Sequence, residues 1–175
     1  MQYTMKPRPT VYNGIHFRSR LEATWAAFFD RLGWRWEYEH EEIAGWLPDF
    51  SIRDAAGFDF LVEVKPEITF SPGSGVMKKM EKSRGDKVVL LVSAPFACDI
   101  EYHGGTVLGV CFPCPWGFDE WETSFLCETG DGFAIGSIAD KLHDGDELLP
   151  ARKVAFSRAR SMWGKAKKAT RYEPA

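Results

Sequence analysis

The chain has 175 residues, 45% of them apolar and 27% charged, with a formal net charge of −3. That length supports one domain whose core needs no disulfides, and a charged fraction near the usual quarter excludes a chain disordered throughout. The longest apolar runs fall far short of a membrane-crossing helix, and the opening MQYTMKPRPTVYNG lacks the apolar stretch of a signal peptide, so a soluble, cytoplasmic protein with no membrane partner is expected.

A helix is predicted over 20–32. Ser19 supplies the N-cap, and Glu22 three residues on completes a capping box. Leu21, Trp25, Phe28, Phe29 and Leu32 recur along one stripe, and Gly33 is the expected stop. Residues 34–39 alternate aromatic and charged side chains, as a half-buried strand does. Two further strands, 46–53 (WLPDFSIR) and 58–66 (FDFLVEVKP), flank the turn-like Asp54-Ala55-Ala56-Gly57, which predicts a hairpin. Alternation along the second sets Phe58, Phe60, Val62 and Val64 on one face, and Asp59, Leu61, Glu63 and Lys65 on the other.

After an SPGSG loop at 71–75 a short basic helix is predicted over 76–84. A continuous apolar run over 87–95 then reads as a strand buried on both faces. The Gly-, Pro-, Trp- and Cys-rich stretch 96–146 offers only strand-like pieces at 106–112 and 133–138. A last helix is predicted over 151–171. This order fits an α/β or α+β domain with a mixed central β-sheet flanked by helices, drawn as a domain over 1–150 and a basic C-terminal helix and tail over 151–175.

That tail holds eight basic residues against one acid, or +7, which leaves −10 for the rest of the chain. Such asymmetry points to nucleic acid or another anionic surface, with a solvated helix face as the plainer reading. On a helix Lys153, Arg160, Lys167 and Arg171 share one face, and Ala155, Ala159, Met162, Trp163 and Ala166 form the packing side. A stripe of that kind neutralises phosphates with a sequence-independent affinity that falls with salt.

The chemistry concentrates at Pro48-Asp49 and, after 13 intervening residues, Glu63-Val64-Lys65. Glu63 and Lys65 share one sheet face, and a hairpin partner can bring Asp49 against them. Two carboxylates converging there repel unless a cation lies between them, and oxygen-only ligands suit Mg²⁺ or Mn²⁺. Such an ion polarises a phosphoryl oxygen and lowers the pKa of bound water. Lys65 beside it can orient the water or offset transition-state charge. The bland reading of Glu63 and Lys65 is a same-face surface ion pair worth under ~1 kcal/mol.

These residues resemble the PD-(D/E)xK metal-dependent nuclease superfamily. Phe17-Arg18-Ser19-Arg20-Leu21-Glu22, Leu32-Gly33, Glu37-Tyr38-Glu39, Leu47-Pro48-Asp49-Phe50 and Val62-Glu63-Val64-Lys65 follow the order and approximate spacing of phage endonuclease-I-type junction resolvases, over about residues 12–66. The resemblance implies a restriction-endonuclease-like α/β fold and metal-dependent hydrolysis of DNA phosphodiesters. It also implies a preference for branched DNA, a phage origin, and a homodimer for cuts on opposed strands. It makes Glu22, Asp49, Glu63 and Lys65 the catalytic groups, with Asp49, Glu63 and the Val64 carbonyl holding the metal. Beyond Lys65 the sequence departs from the resolvase pattern, and it resembles Vsr-like or transposon-end nucleases of the same superfamily equally well. The other class of function in play is a non-catalytic DNA-binding accessory or inhibitor protein on the same scaffold.

Secondary expectations surround this centre. Glu22 also has its purely local role in the capping box. Arg18 and Arg20 stand at a helix N-terminus, where their charge would add to exposed N–H groups as a phosphate site. Lys78 and Lys79 (with Lys82) are candidates for backbone phosphate contact, against a solvated face. Cys98, Cys111, Cys114 and Cys127 include one Cys-x-x-Cys knuckle, so a structural Zn²⁺ is conceivable, while buried thiols are the commoner state in a reducing compartment.

Overall fold

The computed structural model describes residues 8–66, 74–97, 104–113, 120–136, 141–144 and 147–170. A hairpin of β1 (Thr10–Tyr12) and β2 (Ile15–Phe17) leads into α1 (Arg20–Leu32). The predicted boundaries of α1 hold. Ser19 Oγ accepts from the Glu22 amide at 3.2 Å, and Gly33 closes the helix in the left-handed region at φ 73°, a conformation that costs little without a Cβ.

β3 (Arg35–Tyr38), β4 (Phe50–Arg53) and β5 (Asp59–Val64) run as an antiparallel meander, so the expected hairpin around 54–57 forms. α2 (Gly75–Ser83) carries the chain over to β6 (Val88–Ala97), which lies parallel to β5. β7 (Thr106–Phe112), β8 (Glu122–Thr129) and β9 (Gly132–Gly136) continue antiparallel. A separate hairpin of β10 (Lys141–Asp144) and β11 (Glu147–Pro150) precedes β12 (Arg152–Lys153), which returns to β8, and α3 (Phe156–Ala169) follows. The fold is therefore mixed α/β: a mostly antiparallel eight-stranded sheet in the order β12-β8-β7-β6-β5-β4-β3, with β9 also on β8, and three helices among the described residues.

The two sheet faces are covered differently. Phe50, Ile52, Phe60, Val62, Val64, Leu90 and Val92 pack against α1 and α3 in the main core, which is the face that alternation along 58–64 predicts. Trp25 of α1 meets Trp163 of α3 with ring centroids 5.0 Å apart, and Phe28 meets the same ring edge-on at 5.3 Å. This second helix explains why α1 is buried from Glu22 to Phe29 rather than along a single stripe. The opposite face carries Leu61, Val89, Leu91 and Val110 under Trp46 and the α2 methionines Met77 and Met80.

The strand-like pieces expected at 106–112 and 133–138 fall on β7 and β9, with β8 between them, and Leu108, Cys111, Leu126 and Ile135 of these strands belong to the main core. One expectation is corrected here. The C-terminal helix begins at Phe156, because Lys153 is held in β12 opposite Cys127 and the Val154 amide donates to the Leu126 carbonyl at 2.8 Å. Lys153 therefore leaves the proposed basic helix face, and its ammonium lies 4.9 Å from the centre of the Phe125 ring. Arg160 and Lys167 do share the exposed side of α3, while Ala159, Trp163 and Ala166 are buried as expected; Arg171 lies outside the described residues. No helix among the described residues is long and apolar enough to cross a membrane.

Candidate active site

The pairing of Phe50 with Val62 extends by one step to set Asp49 across from Glu63. With both aromatic and aliphatic neighbours turned to the α1 face, the two carboxylates share the other one. The Val64 amide donates to Asp49 Oδ2 at 2.7 Å, tying the end of the 39–49 loop to β5. The Glu39 amide closes the base of that loop by donating to the Asp49 carbonyl at 3.0 Å. Lys65, the first residue beyond β5, donates its ammonium to Glu63 Oε1. Asp49, Glu63, Val64 and Lys65 thus meet as the hairpin argument predicts. At Val64 the contact seen is the amide on Asp49; the carbonyl was the atom expected to act.

Glu22 reaches the same cavity from the first turn of α1. The cavity measures about 520 Å³ and is also lined by Arg18, Trp46 and Lys79. Glu22 serves the helix cap and faces this cavity at once. Its Oε1 accepts from Ser19 Oγ at 2.7 Å within the capping arrangement, and its Oε2 accepts from the Tyr38 hydroxyl at 2.6 Å. Burial first, and then the bond to Glu22, hold the Tyr38 phenol well above its ordinary value, so it stays a donor.

The electrostatics are those of an acid cluster short of positive charge. Asp49 is 3% exposed, and burial followed by the charge of Glu63 pushes its carboxyl up to about 6. Low dielectric and a like charge both disfavour the ionised form. Arg18 offsets part of this: its Nη2 donates to Asp49 Oδ1, its Nε lies 2.8 Å from Glu39 Oε1, and Glu22 Oε2 is 4.0 Å away. Trp46 donates its indole N–H to Glu63 Oε2 at 3.0 Å.

Arg18, read from the sequence as a phosphate binder, is therefore engaged with carboxylates. Arg20 donates to the Lys167 carbonyl at the end of α3 at 3.1 Å, which brings Lys167 beside the N-terminal end of α1. On α2 Lys78, Lys79 and Lys82 are all exposed, but of the three only Lys79 lines the cavity. Tyr38, Glu39 and Trp46 were not singled out as site residues. Their signal was positional, since Glu37-Tyr38-Glu39 and the residues just before Pro48-Asp49 already stood inside the motif run.

The donor chemistry fits a hard divalent cation. It consists of carboxylate oxygens with an excess of negative charge around Asp49, and Mg²⁺ is commonly held by one or two carboxylates while keeping several waters. Among the described residues no three His, Cys, Asp or Glu side chains converge into a closed metal cage, so Asp49 and Glu63 would be the protein's share. The four-cysteine zinc site is corrected. Cys111 faces the α1–α3 core, whereas Cys127 packs on the other side of the sheet with Val107 and Phe125. Cys111 pairs with Glu122, five positions before Cys127 on β8, a separation of roughly 17 Å at strand rise. The two thiols cannot ligate one ion. Cys98 and Cys114 lie outside the described residues.

Comparison of the chain with family models, with curated proteins and with solved structures finds no match.

Proposed function

We propose that the protein is a metal-dependent DNA endonuclease on a restriction-endonuclease-like fold, hydrolysing phosphodiester bonds with Mg²⁺ or Mn²⁺. The observation that carries this reading is the meeting of Asp49, Glu63 and Lys65 at the open ends of β4 and β5, in a cavity that Glu22 also lines. A divalent ion held by Asp49, Glu63 and the Val64 carbonyl would supply Lewis-acid polarisation and a more acidic water. The chain's own groups do the rest. Lys65, about one-third exposed and paired with Glu63, is placed to orient the attacking water or to offset charge building on the phosphoryl oxygens. Glu22, fixed by Ser19 and Tyr38, supports the cluster from α1.

Lys79 on one side of the cavity, and Lys167 with Arg160 on α3, offer positive charge to the flanking phosphates. Their contribution is positional rather than sequence-specific. Branched DNA is the substrate favoured by the resemblance, and paired cuts would need a homodimer, which sedimentation on a junction would reveal. Phage origin and a cytoplasmic site of action belong to the same proposal.

A second reading has one observation in its favour. Both oxygens of Asp49 and both of Glu63 already have protein donors: Arg18 and the Val64 amide for one, Lys65 and Trp46 for the other. A non-catalytic DNA-binding accessory or inhibitor protein would retain just such a cluster, its oxygens already satisfied by the protein's own donors. The test is cleavage of supercoiled plasmid, linear duplex and a four-way junction with Mg²⁺, Mn²⁺ or EDTA, beside Asp49→Asn and Lys65→Ala. Metal-dependent cutting lost in both variants supports the nuclease. DNA binding indifferent to chelator, with no cutting on any substrate, supports the accessory protein.

A further inference from the structure

We infer that Arg18 is a displaceable counter-cation: its guanidinium holds the Asp49 carboxylate in the metal-free protein, a divalent ion must evict it, and the evicted side chain then serves as a phosphate contact. The inference rests on the metal site proposed above and adds a regulatory coupling to it.

Three observations carry it. The first is contact: Arg18 Nη2 donates to Asp49 Oδ1, the oxygen not taken by the Val64 amide, so it occupies the position from which that oxygen would reach a metal. The second is exposure of the group that must move. The Arg18 side chain is 57% exposed and that of Asp49 4%, so the guanidinium can swing into water where it is fully hydrated, while the carboxylate has nowhere to go. The third is the tether. Arg18 precedes the Ser19 N-cap, and its backbone amide donates to the Tyr38 hydroxyl at 3.1 Å. The backbone is therefore pinned at the positive end of α1, and only the side chain can swing.

A guanidinium released there stays within the length of its own side chain from the positive end of the α1 dipole, where an anion is favoured. Glu39, 2.8 Å from Nε, acts as the second arm that holds Arg18 inward. Binding of metal and binding of DNA phosphate then favour the same outward arrangement, and linkage makes each strengthen the other.

The experiment measures Mn²⁺ affinity without DNA, by the loss of the free-ion electron paramagnetic resonance signal. The parent, Arg18→Gln and Arg18→Lys proteins are compared, each first checked for a cooperative melt. Duplex DNA affinity is then measured in EDTA and in Ca²⁺. Removing the competing cation should tighten Mn²⁺ binding in Arg18→Gln by about tenfold. Arg18→Lys, which keeps one pair and loses the fork, should fall between that variant and the parent, and it decides the matter should Arg18→Gln fail to fold. Arg18→Gln should weaken DNA binding in Ca²⁺ and leave it unchanged in EDTA. Mn²⁺ affinity equal to or below the parent's in the folded variants overturns the inference, as does equal weakening of DNA binding with and without the ion. Tighter Mn²⁺ binding in a protein that cuts no DNA would uphold the exchange and remove the nuclease; absence of Mn²⁺ binding in every protein would remove both.

Discussion

Trp46 ties the outer core to the acid cluster through one hydrogen bond. Its ring is buried with Leu61, Met77, Met80 and Leu91, while its indole N–H reaches Glu63 Oε2 at 3.0 Å. Glu63 is thus fixed from two sides, by this neutral donor on one oxygen and by the Lys65 ammonium on the other. A carboxylate clamped this way is preorganised, which is what a ligand or a water-positioning group requires.

Trp46→Phe keeps most of the packing and deletes the donor. A hydrogen bond to a charged acceptor is worth about 2 kcal/mol, so urea unfolding should show a loss of that order, with the cooperative transition retained. If the nuclease proposal holds, cleavage should fall further than stability alone accounts for, and Mn²⁺ affinity should weaken, because Glu63 is then held by Lys65 alone. Unchanged Mn²⁺ affinity would show that Trp46 serves packing only.

The pH dependence of stability follows from Asp49, whose carboxyl is pushed up to about 6 by burial and then by Glu63. A carboxyl that titrates higher in the folded chain than in the unfolded one binds its proton more tightly when folded. Stability therefore falls as pH rises through the interval between the two values, from about pH 4 to about pH 6, and the full cost, about 3 kcal/mol, persists above it. In EDTA, Asp49→Asn should be more stable than the parent at pH 7.5 and should lose that advantage near pH 4. Mg²⁺ should narrow the gap at pH 7.5 by stabilising the parent alone. A gap independent of pH would place the ionisation elsewhere.

Much of this centre was legible because it is local. The capping residues and apolar stripe define α1, and period-two alternation around a four-residue turn defines β4 and β5, so the spacing from Asp49 to Glu63 translates directly into a hairpin register. What escaped is set by tertiary pairing. Lys153 looks helical in sequence, yet its backbone is taken by Cys127 of β8. The irregular 96–146 stretch supplies three of the sheet's eight strands, but β7 and β8 are buried on both faces and show no polar alternation to announce them. Arg18 reads as a phosphate ligand from its place before a helix; only the folding of Glu39 and Asp49 around it makes it an acid's partner.

Gly109 is required by the approach of β6 to β7, where the strand register shifts. A Cβ at this position would stand 2.0 Å from the Leu91 carbonyl oxygen and 3.1 Å from the Val92 Cα. Both are backbone atoms, so a side-chain rotation cannot relieve the clash. Gly109→Ala should destabilise by about 3 kcal/mol, the upper end for overpacking, read as a lower urea midpoint at unchanged slope. Gly75→Ala, which meets no atom within 4 Å, is the control that should leave the midpoint almost unmoved.

Lys79 at the cavity and Lys167 at the end of α3 can be told apart from indirect contributors by their salt response. Lys79 lines the cavity from α2, and Lys167 is exposed at the end of α3, where its carbonyl accepts from Arg20. Neither ammonium supports the core, so Lys79→Ala and Lys167→Ala should leave the melting transition in place. Trp163→Ala, by contrast, removes the ring packed between Trp25 and Phe28 and should cost about 4 kcal/mol. If the lysines contact phosphate, each substitution should weaken binding uniformly across DNA sequences and lower the slope of log affinity against log salt by about one. Loss of affinity at an unchanged slope would point to an indirect effect. An unchanged affinity in both would remove α2 and α3 from the proposed DNA contact.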